Sequence, residues 1–229
     1  MSEIGHGPRS ADDLSRRTVI AMLLGIGAVL VAPARALARA CRVAVAADEG
    51  PFYPVDPFPA TNDLLGSAPV NGQVLYLLGR VVDRDCRPVP DAVVEVWQCD
   101  AGGQYKHPRA PKVKELDRHF QYFAKTKAGA DGSFRFRTVR PASYEVSGVR
   151  RAPHIHIRVK SARPTLTTEV YFQAPADETL RAQDRVFQGR GPRKGEMVVA
   201  LEPASRFARR LDTAPEPGSL ACTYDLTLA

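Results

Sequence analysis

The sequence lacks several features that would assign it to a common class of protein. Its main apolar run, residues 19–32, is shorter than the ~20 residues of a membrane-spanning helix. The formal charge of +7 is dispersed, and no block of basic residues is interleaved with aromatic ones, so nucleic-acid binding is disfavoured. No long helical periodicity follows residue 40 and no segment is repeated, which disfavours a helical bundle or a repeat protein.

Glycine and proline, by contrast, are frequent and spread along the chain. Prolines recur through residues 39–73, which excludes a regular helix or ladder and predicts an extended, irregular N-terminal arm. From Val74 onward, short alternating runs are separated by turn residues, which predicts an all-β fold, a β-sandwich core with long irregular loops. The predicted strands are 74–83, 92–98, 134–139, 150–159, 167–172, 196–201 and 224–228, with a short helix near 180–186.

The N-terminus has the pattern of an export signal. Arg16 and Arg17 directly precede the apolar run, and Ala36-Leu37-Ala38 is a candidate cleavage site. The paired arginines resemble a twin-arginine (Tat) signal, with an ordinary Sec signal or an uncleaved anchor as alternatives. We therefore expect a signal peptide at 1–38, a catalytic domain at 39–229, a periplasmic or extracellular location, and no stable membrane insertion after processing.

Four cysteines lie beyond the predicted signal: Cys41, Cys86, Cys99 and Cys222. An even number of cysteines in an exported chain predicts two disulfides. We expect Cys41–Cys222, because that bond would tie the two ends of the mature chain together, and Cys86–Cys99. A zinc site is the alternative, but no C-x-x-C spacing supports it.

The segment 150–159 contains His154 and His156 in an alternating run. Side chains two residues apart on a strand point to the same face, so the two imidazoles would stand ~6.5 Å apart along the strand and could bind one metal ion. Two histidines do not complete a site. Tyr105, at the end of a glycine-rich loop, and Tyr144, after a predicted strand, stand out by position. Phenolate oxygen suits ferric iron, whereas zinc or cuprous copper would prefer thiolate or imidazole.

Several motifs then occur in an order that resembles one family, the intradiol ring-cleavage dioxygenases of the catechol and protocatechuate 3,4-dioxygenase type. The resemblance covers nearly the whole mature chain. The motifs that carry it are Glu49-Gly50-Pro51-Phe52-Tyr53, Gly79-Arg80-Val81-Val82-Asp83, residues 88–98 ending in Val96-Trp97-Gln98, Gly103-Gln104-Tyr105, Arg140-Pro141 with Tyr144, and Arg151-Ala152-Pro153-His154-Ile155-His156.

The resemblance implies a non-haem Fe(III) ion held by Tyr105, Tyr144, His154 and His156, with Tyr144 as the ligand that the substrate displaces. It implies that a catechol- or protocatechuate-like diol is cleaved with O2 to a cis,cis-muconate-type diacid. Arg151 matches the family's arginine beside the substrate ring, where its permanent charge would stabilise developing negative charge. The implied partners are a small aromatic diol and O2, with no nucleic acid; a homo-oligomer is left open.

Two positions depart from the family pattern. Glu169 stands where the family often has Gln, so a carboxylate would lie near the iron and could act as a base. Val146 stands where an aromatic residue is frequent, so the pocket would be more open. Tyr53 is expected to line the substrate pocket because of its place in the first motif.

The sequence alone leaves two other functions open. The run Gly79 to Val94 also resembles transthyretin-like β-sandwich modules, which bind partners and catalyse nothing. Such a module has no need of Tyr105 and Tyr144 together with the two histidines. A zinc or copper hydrolase is the third reading, disfavoured because no Asp, Glu or Cys stands at a convincing ligand spacing.

Overall fold

The computed structural model describes residues 42–67 and 69–229. The predicted signal peptide, 1–38, lies outside the described residues. The strands are β1 (Val74–Val82), β2 (Val93–Trp97), β3 (Phe123–Lys127), β4 (Ser133–Val139), β5 (Tyr144–Val146), β6 (Val149–Arg151), β7 (His154–Lys160), β8 (Leu166–Gln173), β9 (Val198–Ala200), β10 (Glu202–Pro203), β11 (Leu220–Thr223) and β12 (Leu226–Thr227).

Helical segments are few and short. They are α1 (Pro175–Gln183), α2 (Arg185–Gln188) and the 3-10 turns Lys194–Met197 and Ala204–Arg210. The predicted helix near 180–186 is thus interrupted at Asp184, and the predicted strand 196–201 begins as a 3-10 turn. Within the part of the chain that the structure describes, no helix has the length and apolar character needed to cross a membrane.

The strands form two five-stranded sheets and one hairpin. The first sheet has the order β10-β11-β1-β12, with β4 also paired to β1. The second sheet has the order β3-β2-β7-β8-β9, and β5 pairs with β6 in a separate hairpin. The predicted all-β fold is confirmed, and the long segment between β2 and β3 contains no helix or strand.

The core lies between the two sheets. Leu75 and Leu77 of β1 pack in one cluster with Val96 of β2 and with Ile155 and Ile157 of β7. Since alternate side chains point to opposite faces of a sheet, His154 and His156 lie on the outer face of the second sheet. The fold thus places the histidine pair away from the sandwich core, under the loops that cover that face.

The β5–β6 hairpin was missed by the sequence analysis. Its two turn residues, Ser147 and Gly148, both have positive φ, 50° and 72°, which is the conformation of a two-residue hairpin turn with right-handed strand twist. The hairpin pairs Tyr144 with Arg151. Two residues with predicted catalytic roles are therefore held side by side by backbone pairing.

The predicted disulfides are wrong. Cys86 is disulfide-bonded, but Cys99 and Cys222 are free and buried, so neither Cys41–Cys222 nor Cys86–Cys99 forms. The partner of Cys86 lies outside the described residues. Cys222 is enclosed in the main core, and the Cys99 thiol lies 3.3 Å from the carbonyl oxygen of Ala142. Both behave as small buried hydrophobic side chains.

Candidate active site

The histidine pair is arranged as metal ligands are. The Nε2 atoms of His154 and His156 converge to 3.2 Å. The Nδ1 atom of His154 donates to the carbonyl oxygen of Ala152 at 2.6 Å, which fixes the tautomer and leaves Nε2 with a free lone pair. Burial lowers the pKa of both imidazoles, that of His156 to about 4. Both rings are therefore neutral at pH 7 and able to bind a cation.

The two tyrosines lie beside the histidines. The ring centroids of Tyr105 and Tyr144 are 5.0 Å apart. Tyr144 lies 5.7 Å from His154 and Tyr105 lies 6.4 Å from His156, also between centroids. The four side chains, which come from three separate segments of the sequence, thus pack against one another.

Among the four residues, two buried polar atoms lack a hydrogen-bond partner in the described part of the chain, the Tyr105 hydroxyl and His156 Nδ1, and the hydroxyl oxygen is the one that is a candidate ligand atom. A buried hydroxyl without a partner costs roughly 1–3 kcal/mol, so it needs an explanation. Burial raises the pKa of Tyr105 and Tyr144, which keeps both phenols neutral unless a cation is present. A trivalent metal would remove both costs, and this donor set therefore fits ferric iron.

Hydrogen bonds join the start of the loop that holds Tyr105 to the end of β4, which directly precedes the turn that holds Tyr144. The Gln98 side chain accepts from the Thr138 hydroxyl at 2.9 Å and donates to the Val139 carbonyl at 2.9 Å. Gly103 adopts φ +86°, and a Cβ there would lie 2.7 Å from the Ser143 carbonyl oxygen. Only glycine allows this close approach without displacement.

Asp100 shapes the same loop. Its carboxylate accepts from the backbone N–H of Gly102 at 2.8 Å and of Gln104 at 3.0 Å, and from the Tyr122 hydroxyl at 2.7 Å. The Ala142 N–H donates to the Asp100 carbonyl at 3.2 Å. The turn that presents Tyr105 is therefore fixed by one buried carboxylate, which the sequence analysis did not identify.

Arg151 is 3% exposed, and most of its donors are engaged. Its Nε donates to Asp184 at 3.1 Å, and Nη2 donates to Glu169 at 3.1 Å and to the Tyr171 hydroxyl at 2.9 Å. Nη1 lies 3.5 Å from the Tyr144 hydroxyl oxygen. The guanidinium thus reaches the metal-site tyrosine while it is clamped from behind by two carboxylates.

Asp184 is a second residue that the sequence analysis missed. It is fully buried and caps α2, accepting from the backbone N–H of Val186 at 3.0 Å and of Phe187 at 3.1 Å. It also accepts from the N–H of Ala152 at 3.0 Å. An Asp directly before a helix is a readable capping signal, but its distant partner Arg151 is not.

Glu169 lies behind the histidines. Its Oε1 is 3.7 Å from His156 Nδ1 and 4.0 Å from His154 Nε2, and Arg190 pairs with its Oε2 at 3.0 Å. Burial raises the pKa of Glu169, but the guanidinium groups of Arg151 and Arg190 lower it, and the pKa lies below its usual range. The side chain is therefore an anion next to the site.

Tyr53 is not brought to the metal-site residues. Its hydroxyl donates to Glu95 at 3.0 Å, and its ring packs at 5.0 Å against Trp97. Trp97 in turn stacks on His156 at 4.8 Å between centroids, so it lies between Tyr53 and the histidine. The arm contributes Phe52 instead, whose ring is 4.9 Å from that of Tyr105.

A small cavity of about 190 Å³ opens at the tyrosine side of the site. Phe52, Tyr105, Tyr144 and Ser143 contribute to its wall. Val146, where the resemblance led us to expect an open pocket, is half-buried and packs against the main core cluster. The cavity thus lies beside the two tyrosines of the candidate metal site.

Comparisons with known proteins agree with this geometry. A family model described as Dioxygenase matches residues 49–228. The chain is 32% identical over 179 residues to the protocatechuate 3,4-dioxygenase beta chain of Burkholderia cepacia, covering 74% of this chain and 72% of that protein. It is 34% identical over 149 residues to the protocatechuate 3,4-dioxygenase alpha chain of Pseudomonas putida, covering 62% of this chain and 70% of that one.

A solved structure gives the same fold. Hydroxyquinol 1,2-dioxygenase from Pseudomonas putida DLL-E4 matches with a TM-score of 0.64 at 21% identity, covering 82% of this chain and 66% of that one. The family match favours an enzyme over the non-catalytic binding module. The chain therefore belongs to the intradiol ring-cleaving dioxygenases, oxidoreductases that incorporate O2 into their substrates.

Proposed function

We propose that the protein is a non-haem Fe(III)-dependent intradiol dioxygenase that opens the ring of a catechol or protocatechuate-like diol. Tyr105, Tyr144, His154 and His156 would hold the iron. The observation that carries this proposal is the buried Tyr105 hydroxyl, which has no partner in the described residues and whose ring packs near the neutral imidazole of His156. When bound, ferric iron would supply the chemistry that activates an aromatic diol towards O2.

The protein's own groups have definable tasks in such a reaction. Arg151 would stabilise negative charge on the Tyr144 oxygen, since its Nη1 lies 3.5 Å away and its charge favours the Tyr144 phenolate. We assign Tyr144 as the acceptor of a substrate proton for that reason. Phe52, packed on Tyr105, would exclude water from the diol, which strengthens electrostatic interactions inside the site.

A different ligand set is the specific competitor. His154, His156 and Glu169 have ligand atoms that all lie within 4.8 Å of one another, and two histidines with one carboxylate form the facial triad of Fe(II) oxygenases. The carboxylate of Glu169, however, is already engaged by Arg151 and Arg190. This engagement supports the tyrosine set.

The colour of the iron-loaded protein tests the proposal. Ferric tyrosinate absorbs strongly in the visible range, so the loaded protein should show a charge-transfer band and consume O2 with catechol. Tyr105→Phe should weaken and shift the band, because only the Tyr144 phenolate remains, and should abolish the O2 consumption, whereas Glu169→Gln should keep the band. Tyr76→Phe, on the other sheet, is the matched control and should keep both. A colourless loaded protein whose Glu169→Gln variant no longer binds iron would favour the facial triad.

We also propose export through the twin-arginine route to the periplasm or the cell exterior. The disulfide at Cys86 supports an oxidising compartment. Replacing Arg16 and Arg17 by Lys should leave full-length protein in the cytoplasm, whereas the wild-type mature protein should begin near residue 39 by N-terminal sequencing. A mature start that does not change in the double variant would argue for another route.

We further propose that the chain forms an oligomer, because two relatives are named as subunits, a beta chain and an alpha chain of protocatechuate 3,4-dioxygenase; whether the oligomer consists of this chain alone is the question that the experiment answers. Sedimentation analysis of the mature protein would test it. A monomer at micromolar concentration would contradict it.

A further inference from the structure

A second, larger cavity adjoins the candidate iron site. It has a volume of about 820 Å³, and it shares four wall residues with the smaller cavity, namely Gln104, Tyr105, Ala110 and Val113. Pockets that hold drug-sized ligands measure roughly 300–1,000 Å³. The space is therefore larger than a single benzenediol ring fills. We call this cavity the 104–118 groove, since most of its wall comes from that segment.

Apolar surface is concentrated in the groove. Within residues 42–67 and 69–229, three large hydrophobic side chains are exposed: Val55 at 68%, Val113 at 70% and Leu116 at 40%. All three line the groove. Single exposed hydrophobic residues need no explanation, but a cluster in one concave surface marks a binding site.

The charges of the groove are predominantly positive. Lys106, Lys112, Lys114 and Arg118 line it, against Asp56 and Glu115. Among the described residues, Lys112, Lys114 and Arg118 form no salt bridge or hydrogen bond through their side chains, unlike Arg109 just outside, which donates to the Pro51 carbonyl at 2.7 Å. Three unpaired cations around an apolar wall favour an elongated ligand with an anionic end.

We propose that the 104–118 groove is a substrate-binding subsite for aromatic diols that carry an extended, partly apolar substituent ending in a carboxylate. This inference rests on the proposed function, because Tyr105 lines both cavities and the diol ring would lie at the tyrosines. The substituent runs past Ala110 and Val113, contacts Val55 and Leu116, and brings its carboxylate to Lys112 and Lys114. The chain thus selects larger acidic diols over single-ring ones.

A matched set of diols tests the subsite. Chlorogenate presents a diol ring on a long arm that ends in a carboxylate, its methyl ester has the same shape without the charge, and catechol has no arm. Binding is measured anaerobically by calorimetry on the iron-loaded wild-type protein, and kcat/KM by O2 uptake. We expect chlorogenate to bind about tenfold more tightly than its ester and to have the highest kcat/KM of the three.

Variants that remove positive charge show which residues cause the preference for chlorogenate over its ester. Replacing Lys112 and Lys114 by Gln should lower the ratio of the chlorogenate affinity to the ester affinity by about three- to tenfold, as expected for two partly screened charges. Replacing Arg84 and Lys127 by Gln removes the same charge from positions outside the groove wall and should leave the ratio unchanged. Added salt should reduce the ratio only in proteins that retain the two lysines.

The outcomes separate this inference from the proposed function. Turnover of catechol combined with equal affinity for chlorogenate and its ester would overturn the subsite and leave the dioxygenase intact. The absence of turnover with every diol, combined with charge-dependent binding of chlorogenate that the lysine variant loses, would support the subsite and contradict the proposed reaction. Equal loss of the affinity ratio in both double variants would assign the effect to net charge alone and would also overturn the subsite.

Discussion

The outer face of the first sheet combines apolar packing with partly exposed ion pairs, whereas the outer face of the second sheet buries its ionisable groups almost completely. On the first sheet, Tyr76 and Leu78 of β1 pack against Ala204 and Ala221. Such burial is favourable by itself, at about 25 cal/mol per Å². Arg137 lies on the same face and pairs with Glu216, and both side chains stay partly exposed to water.

The second sheet buries groups whose transfer from water is unfavourable. Arg151, Glu169 and Asp184 are each at most 3% exposed, and each is paired with an opposite charge. Buried pairs of this kind are often no more stabilising than apolar residues of similar volume. The comparison indicates that the ion pairs of the second face add little stability, and that their effect is to fix ionised groups around the histidine pair.

The largest expected effect comes from breaking the charge network. Arg151→Leu would leave Asp184 and Glu169 buried without their shared partner, so the free energy of unfolding should fall by about 3–5 kcal/mol. Arg87→Leu is the matched control, because the ion pair of Arg87 with Asp85 is exposed. This variant should change the free energy of unfolding by less than about 1 kcal/mol. Urea denaturation of both variants measures the difference. Similar losses of unfolding free energy in the two variants would show that the buried ion pairs matter no more for stability than the exposed pair does.

A mutation that creates a cavity on the outer face of the first sheet should lower stability without changing activity. Leu78 is 2% exposed, and Leu78→Ala should cost about 3 kcal/mol through lost burial and the cavity left behind. Because the side chain faces away from the second sheet, kcat/KM per folded molecule should stay at the wild-type value. A changed KM in the folded variant would indicate that the two faces are coupled.

The pH dependence of stability should originate in the histidine face. Burial holds the pKa of His156 at about 4, below its ordinary 6.5, and lowers that of His154 as well. The unfolded chain therefore binds protons that the folded chain cannot, so stability is lost as pH falls below about 6.5. His156 alone should contribute about 2 kcal/mol between pH 7 and pH 5 in iron-free protein, and His154 adds in the same direction.

Denaturant titrations at the two pH values measure this loss. His156→Gln is the matched variant, and its stability should fall less over the same interval. Saturating iron should also flatten the dependence, since bound metal excludes protons from the ligands. A steeper loss in His156→Gln than in the wild-type protein would contradict the assignment.

The two faces also differ in how far the sequence predicted them. The alternation Ile155 and Ile157 inward, His154 and His156 outward follows directly from the two-residue period of a strand. The apolar alternation of β1 is equally local. The predictions made from these patterns, that the two histidines share one face and that residues 74–83 form a strand, succeeded because they require only the local geometry of one strand.

The positions of the tyrosines could not be derived that way. Tyr105 reaches Tyr144 through the side-chain bonds of Gln98 and the close approach at Gly103, contacts between segments that no spacing encodes. The motifs supplied that information by resemblance. The cysteine pairing failed for the same reason, because the count of cysteines gave no distance between them, and the structure encloses Cys222 in the core.

The smallest expected effect tests how firmly the Tyr105 loop must be held. Asp100→Asn keeps the size of the side chain but weakens its three hydrogen bonds, which should cost about 1–2 kcal/mol of stability. If this carboxylate positions Tyr105, the charge-transfer band of the iron-loaded variant should weaken or shift while the histidine-dependent fall in stability below pH 6.5 is retained.

Asp117→Asn is the matched control, because the Asp117 carboxylate also accepts from backbone N–H groups but makes no bond to the turn that presents Tyr105. It should leave the band unchanged. An Asp100→Asn protein with a wild-type spectrum would mean that Gln98 and Gly103 alone place the tyrosine. The ionisable face would then depend on close backbone packing, as the outer face of the first sheet does, and its buried loop carboxylate would serve stability only.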